Sequence, residues 1–513
     1  MPRYPVFALG AVTAAAVLAL MPLSQAQAQA QNRNLTIVLT DEPTDLDGCN
    51  TSQSTVGRVV KQTIAETLTV VDPDTGAVTP RLATSWERID DFTWRFKLRP
   101  NVTFHDGTPF NATTASGAIA RTLVESITPV CGVRTKFFGA QKLTGKAVDP
   151  LTLDITSSVK DPILPTRMGV YTLVHPDTSI NGLQRTAIGT GPYVLEKWTN
   201  GIEITLKRNE SYWGKKPEAT AVKFVWRKES AVRAAMVKVG EADLTDNIAV
   251  QDANDPKTDF SFLNSETSFL RIDTMIPPLN NFKVRQALQY ATDRNALRGS
   301  ILSKDVIPAA QVVLPFILGH NHELDKKPIP FDLAKAKQLV AEAKAEGADL
   351  NKELEMVGRT GIWPNGTETM EALMEMYKAA GFKVKLKMLD RAEWLDILNK
   401  PFKDERGPVL LQGQHDNNNG DSVFTVEARY ACKGVQSTIC DPALDAKIAE
   451  AATLIGPARV KAYEDIYRIV YEEKIPDVYL FHMVGYTRVN PRINFKPNLS
   501  LNSEIGVERI TFN

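Results

Sequence analysis

Residues 94 to 99 of this chain read Trp-Arg-Phe-Lys-Leu-Arg, and that strict alternation constrains the local fold more than any other feature. A period of two puts Trp94, Phe96 and Leu98 on one face and Arg95, Lys97 and Arg99 on the other, which predicts a half-buried antiparallel strand. Turn chemistry flanks it. Asp72-Pro-Asp-Thr-Gly76 and Arg99-Pro-Asn101 combine a Pro that fixes φ with Gly or Asn that tolerates left-handed backbone. From Glu66 to Gly107 the chain is therefore expected to run as a meander of three short strands.

A chain of 513 residues is too long for one core and implies two or three domains. Apolar residues at 43% and charged residues at 23% are ordinary globular values, and 60 basic against 60 acidic side chains give no reason to expect a nucleic-acid partner. Residues 1–30 read as a cleaved signal peptide: Arg3, then the apolar run Val6 to Leu20, too short to span a bilayer, then small residues at Ala26-Gln-Ala28 and Ala28-Gln-Ala30. The mature chain is expected to start near Gln29 or Gln31 with 59 basic against 60 acidic side chains, a net charge of −1. No Cys lies near that point, so no lipid anchor is expected, and the mature product belongs in the periplasm. Four cysteines suit this oxidising compartment and allow three pairings. The short loop between Cys432 and Cys440 favours that pair and leaves Cys49 with Cys131; no Cys-x-x-Cys spacing argues for zinc.

The order E-x-L, D-P-x-x-G, P-x-L-A-x-S-W and F-x-L-R-x-x-V-x-F-H-D-G across Glu66 to Gly107 resembles the first lobe of the extracytoplasmic solute-binding proteins of the peptide, opine and nickel uptake family, often called family 5. Three later landmarks are similar to the same family: Gly189-Thr-Gly-Pro-Tyr193 with Leu206-Lys-Arg-Asn-Glu-Ser-Tyr-Trp213, Phe282 to Arg294, and the helix Asp332 to Ala343. The resemblance implies a mixed α/β, two-lobed binding protein. Lobe I would comprise residues 31–55, 186–268 and 479–513, with an inserted α+β subdomain at 56–185 and lobe II at 269–478. Crossings near 269 and 478 would act as a hinge about which the lobes close on a ligand. It further implies a monomeric receptor that delivers a solute to an inner-membrane ABC permease with its ATPase subunits, with no catalysis and no cofactor.

The remaining pattern gives individual elements. Leu35 to Leu39 reads as a strand leading into the loop Thr40 to Asp47, a position like the family's cleft-rim loop; it carries Glu42 and lacks the family's Pro at Gly48. Asn111 should cap a helix that turns Ile119 and Leu123 inward, followed by a strand at Leu151 to Ile155. Val284, Leu288 and Ala291 share one helical face, as do Leu339, Val340 and Ala343, with Asp332 as N-cap and Gly347 as stop. Met370, Leu373, Met374 and Tyr377 mark a helix ending at Gly381, and Phe382 to Met388 alternates with lysines as a strand. Leu444, Ile448 and Ile455 mark one further helix, Val460 to Val470 another, and Pro476 opens a strand at Val478 to Phe481.

In the family's dipeptide and oligopeptide binders a G-W-x-x-D segment supplies an Asp for the ligand amine, and resemblance places Asp416 in that slot with Gly413 where the Trp would stand. A buried ammonium needs a paired, hydrogen-bonded carboxylate, although the same residues would also serve as a turn. Arg359 is the candidate for the ligand carboxylate because a guanidinium offers a planar fork, and Trp363 would stack beside it; a surface cation and a lobe-packing aromatic explain them equally. Asn417, Asn418 and Asn419 offer uncharged donors and acceptors, and His415 adjoins them. The ligand-binding candidates are thus Asp416, Asn417, Asn418, His415, Arg359, Trp363 and Glu42, with a di- or oligopeptide leading and an opine, oligosaccharide or nickel or other metal chelate open. His320 and His322 are expected in an exposed loop rather than a metal site, and His105 in a local hydrogen bond. A secreted hydrolase is the rival class, but no G-x-S-x-G, G-x-x-x-x-G-K-[ST] or H-E-x-x-H is present.

Overall fold

A computed structural model describes residues 1–2, 33–417 and 420–513; the expected leader, together with Asn418 and Asn419, lies outside the described residues. Two separate sheets form the two lobes. In the first, Asn34–Leu39 pairs in parallel with Ala221–Trp226 and Leu244–Thr245, and Glu203–Arg208 and Tyr193–Thr199 extend the sheet antiparallel. Leu35, Ile37, Val38 and Leu39 are buried on both faces, which is why this strand reads as an apolar run without alternation.

The meander forms as its turns dictate. Thr69–Val71 pairs with Val78–Pro80 around Gly76, whose φ of +72° needs a residue without a Cβ. Ala83–Arg88 and Thr93–Leu98 then join Thr152–Ser157 and Leu143–Asp149 in a four-stranded antiparallel sheet, with Phe96 and Leu98 buried and Lys97 exposed. Asn111 caps the helix Ala112–Leu123 through a capping box, and this helix buries Ala115, Ala118 and Ile119 in the same core, while Leu123 is half-buried at its end.

Within this region the family landmarks converge on one carboxylate. Glu66 accepts from Arg81 Nε at 2.7 Å, Thr190 Oγ1 at 2.8 Å, Trp213 Nε1 at 2.9 Å and Tyr212 OH at 3.0 Å, so the first two landmarks are a buried hydrogen-bonded staple. His105 belongs to the same staple rather than bonding locally: its ring Nε2 pairs with the Gly191 carbonyl oxygen at 3.0 Å.

The second lobe is a six-stranded sheet ordered Ile307–Pro308, Asp477–Arg488, Asp259–Ile272, Val409–Asp416, Leu354–Arg359, Val384–Leu389. The helices Phe282–Ala291, Leu333–Ala345 and Gly366–Ala380 supply Val284, Leu288, Ala291, Leu339, Leu373 and Tyr377 to its core. Asp332 caps the second, accepting from Lys335 N at 2.8 Å, and Gly381, at φ +104°, ends the third. Ile455 departs from expectation. The helix Pro442–Thr453 stops before it, and Ile455 is exposed as the N-cap residue of Gly456–Ile469.

Residues 269 and 478, where the crossings are expected, lie on one pair of long strands. Asp259–Ile272 and Asp477–Arg488 run antiparallel, and Ile248 and Leu244 bridge the latter strand and its extension at Tyr486 and Val489, tying it to the first sheet. Between Leu263 and Thr267 the register with Asp477–Arg488 slips, so that Asn264, Ser265 and Glu266 bulge out of that ladder, while Glu266 keeps its place in the pairing with Val409–Asp416. Both disulfides form as expected, Cys49 with Cys131 and Cys432 with Cys440, with Cα separations of 4.8 and 4.2 Å. Among the described residues no helix is long and apolar enough to cross a membrane.

Candidate functional site

Between the lobes lies a cleft of about 690 Å³, walled by Ser54, Thr55 and Arg58 from one side and by Glu266, Arg359, Trp363, Arg391, Trp394 and Asp416 from the other. Lys136 and Asp416 separate it from a second chamber of about 890 Å³. Their side chains meet across the gap, with Lys136 Nζ 3.2 Å from Asp416 Oδ2. Lys136 rides on the helix Gly132–Phe137, whose N-cap is Cys131, so the Cys49 disulfide anchors the start of the segment that presents this ammonium.

The bulge decides the charge pattern. Glu266 stands opposite Asp416 in the antiparallel ladder, so two carboxylates share one face, an arrangement that repels in the absence of a cation. Ser265 Oγ donates to Asp416 Oδ1 at 3.1 Å, and Asn502 Nδ2 donates to Glu266 Oε1 at 3.2 Å. Burial, and then the neighbouring Asp416, push the Glu266 carboxyl up to about 7, against the lowering pull of Asn502, Arg58 and Arg359.

Arg359 closes the strand Leu354–Arg359, its backbone N–H held by Gln412 Oε1 at 2.9 Å and its guanidinium 5.0 Å from the Trp394 ring centroid. Burial and the nearby Arg391 pull its pKa down, partly offset by Glu266. Trp394 is fixed in turn, donating its indole N–H to the Gln412 carbonyl at 2.9 Å. Trp363 packs into the second-lobe core, yet its Nε1 is buried at the cleft without a hydrogen-bond partner among the described residues. Gln414 Oε1 is in the same condition. An orphan donor and an orphan acceptor at one cleft are groups that a bound solute would satisfy.

Three candidates from the sequence thus meet here: Asp416, Arg359 and Trp363. His415 faces the second chamber, its Nε2 2.7 Å from Thr425 Oγ1, and burial followed by repulsion from Arg429 drives its pKa down to about 3, so it is neutral. Asn417 lines neither chamber. Its amide donates to the Ser265 and Val312 carbonyls at 3.0 and 3.1 Å and accepts from Leu314 N at 3.1 Å, stitching loops together. Glu42 is likewise consumed away from the cleft, accepting from Trp198 Nε1 at 2.8 Å and from Gly201 N. Asn418 lies outside the described residues. His320 corrects the exposed-loop expectation, being 2% exposed and held by Val313 and Asp325.

Sequence reasoning missed Glu266, Lys136 and Gln414. The first had a signal: an acidic residue inside Phe260 to Ile272, a run otherwise fit for a buried strand. Gly413 also gains a reason, because a Cβ there would stand 2.2 Å from the Phe269 ring, leaving no room for the indole of the family pattern. Trp363 and Trp394 supply indoles to the cleft from other elements.

Heme-binding protein A of Haemophilus influenzae is 26% identical over 451 residues, covering 81% of this chain and 81% of its own. The probable di/tripeptide-binding protein 5 of Pseudomonas aeruginosa is 24% identical over 476 residues, 86% of this chain and 89% of its own. The crystal structure of the ABC transporter substrate binding protein CtaP of Listeria monocytogenes shares the fold with a TM-score of 0.81 at 20% identity, over 93% of this chain and 99% of that one. Residues 77–431 match the family described as bacterial extracellular solute-binding proteins, family 5 Middle. With a two-lobed fold, an interlobe cleft and a family match over most of its length, the chain belongs to the family 5 bacterial extracellular solute-binding proteins.

Proposed function

We propose that this protein is a periplasmic receptor of an ABC importer and that its cleft takes a short peptide by both charged ends. The paired carboxylates of Glu266 and Asp416 carry the reading, since they concentrate negative charge at one point of a cleft that a cation alone can relieve. In the structure Lys136 supplies that cation, standing where a ligand ammonium would go. Arg359 and Arg391 offer the opposite charge for a carboxylate, and Trp363 Nε1 and Gln414 Oε1 suit the acceptor and donor of an amide. The similarity to a probable di/tripeptide-binding protein supports the same class.

On this reading residues 31–55, 186–268 and 479–513 move as one lobe with the subdomain 56–185, and 269–478 as the other, closing about the paired strands Asp259–Ile272 and Asp477–Arg488. The protein acts as a monomer, freed from its leader, and a membrane permease with ATPase subunits reads the closed form. The test is to purify the mature protein without denaturant, unfold it and identify the released solute by mass spectrometry. Short peptides support the reading; a sugar, an opine or a metal chelate overturns the peptide assignment.

A further inference from the structure

Away from the cleft, the loop between Gln311 and Asp325 gathers ligating side chains that no step of solute capture uses. His320, His322 and Asp325 each bring one ligating atom to within 4.8 Å of the others, and none of them lines either chamber. We propose that these three residues form a second binding site, specific for a divalent transition-metal ion of borderline softness such as Zn²⁺, Ni²⁺ or Co²⁺.

The hydrogen bonds around His320 carry the argument. Its Nδ1 lies 2.9 Å from the Val313 carbonyl oxygen, which can only accept, so Nδ1 holds the ring proton. The other nitrogen is then a lone pair in the neutral ring. Gln311 agrees with this: its Oε1 accepts from Asn321 N at 3.1 Å, which turns its Nε2 toward His320 Nε2 at 3.2 Å, a contact that a bound ion would displace and that the Asn321 carbonyl, 2.9 Å from the same Nε2, would retain. Yet Asp325 Oδ2, a carboxylate oxygen, also faces His320 Nε2 at 2.7 Å. Two acceptors that close require a cation between them, a proton or a metal ion.

His322 tips the balance toward a metal. Its ring centroid is 4.8 Å from that of His320, and it adds a third donor that a shared proton would not need. Zn²⁺ bonds of about 2.0–2.1 Å at tetrahedral angles separate donors by about 3.3 Å, so Asp325 must draw back from its 2.7 Å contact with His320 and His322 must swing in, adjustments that two exposed side chains allow. The supporting shell is already in place. The Val313 carbonyl fixes the tautomer of the buried ligand, and Asn321 pins the turn by donating its Nδ2 to the Glu464 carbonyl at 2.9 Å. Two imidazoles and a carboxylate suit Zn²⁺, Ni²⁺ or Co²⁺ rather than Ca²⁺ or Mg²⁺, and three protein ligands leave a fourth position for water.

The test uses the full mature chain without an affinity tag, stripped by chelator, titrated with Co²⁺ by absorbance and with Zn²⁺ by calorimetry. One equivalent should bind with the visible bands of low-coordinate Co²⁺. His322→Ala and Asp325→Asn, both surface changes, should each weaken that binding at least tenfold with circular dichroism unchanged, and Asp416→Asn should leave it unaltered. Absence of a one-equivalent event, indifference to both surface variants, or loss of binding in Asp416→Asn would overturn the assignment, the last by placing the ion in the cleft.

Discussion

The Glu266 carboxyl makes ligand affinity depend on pH with a definite sign. In the unliganded protein it titrates near 7, raised by burial and by Asp416, with Arg58, Arg359 and Asn502 as the other groups facing it. A ligand ammonium favours the ionised form and so lowers that value in the complex. Below 7, binding must then expel a proton, and affinity rises with pH until it levels near 7. Restoring the carboxyl fully to its ordinary 4.5 would span about 2.5 pH units, roughly 3 kcal/mol; restoring one unit gives about 1.4 kcal/mol, or tenfold. Calorimetry of a dipeptide between about pH 5 and 7 keeps its α-amine protonated, since that group titrates near 8. Measured in buffers of differing ionisation enthalpy, wild type should release up to one proton on binding near pH 6, and Glu266→Gln should release none and show a flat profile. An equal slope in the two proteins would refute the reasoning. The linkage has a second consequence with the same sign. A carboxyl raised in the folded state stabilises it below about 4.5 and loses that contribution as pH climbs through 7, so Glu266→Gln should flatten the fall in thermal midpoint between about pH 5 and 7.5.

Asp416→Asn should weaken a peptide ligand by about 2 kcal/mol or more, roughly thirtyfold, because the ligand ammonium loses one of its two carboxylates; unchanged affinity by calorimetry would remove Asp416 from the amine site. Lys136→Met should act in the opposite direction, tightening the same ligand up to about fivefold, since the lysine competes through a partly exposed ion pair worth at most ~1 kcal/mol; weaker binding would show that Lys136 instead holds the ligand. The two disulfides should differ in denaturant unfolding: the bridge across 82 residues is worth about 4.5 kcal/mol and that across 8 residues about 2.5 kcal/mol from chain entropy. Replacing Cys49 and Cys131 by Ser should also alter ligand affinity, through the helix that carries Lys136, whereas replacing Cys432 and Cys440 should not.

How much of this was legible depended on the distance over which a residue acts. Alternation at Trp94 to Leu98 and the caps at Asn111 and Asp332 are local, so periodicity and capping rules found them. Asp416, Arg359 and Trp363 were reached through the order of a family pattern. Glu266 was not, because its meaning comes from a cross-strand partner 150 residues away, and Lys136 acts on an Asp 280 residues further on. Glu42 and Asn417 were read as ligand contacts for a related reason. Asn417 is a short polar side chain of the kind that backbone donors and acceptors claim first, and Glu42 is claimed by the Trp198 indole and the Gly201 N–H. His320 looked exposed within Gly-His-Asn-His, but Gly319 lies so close to Tyr463 that an added Cβ would stand 2.4 Å from it, so the loop packs down on the helix Gly456–Ile469.

The closure step limits which solutes this cleft can serve. The contact between Lys136 and Asp416 joins side chains that are 38% and 28% exposed, and such a pair contributes at most ~1 kcal/mol, a bias of about fivefold toward the closed arrangement. Turning a population from 1:99 open-favoured to 99:1 closed takes about 5.5 kcal/mol. The difference has to come from contacts that exist only when a solute is held between the lobes. Glu266, Trp363, Gln414 and Asp416 all stand on one wall, so a solute held by them alone gains no preference for closure; the contacts that count are those the same solute makes with Ser54, Thr55 and Arg58 across the gap. An ammonium seated on Asp416 displaces Lys136, so the lysine's own bias is lost on binding and does not add to them. A bare amine should therefore bind without closing the cleft, whereas a solute that reaches from Glu266 and Asp416 across to Ser54, Thr55 or Arg58 should close it.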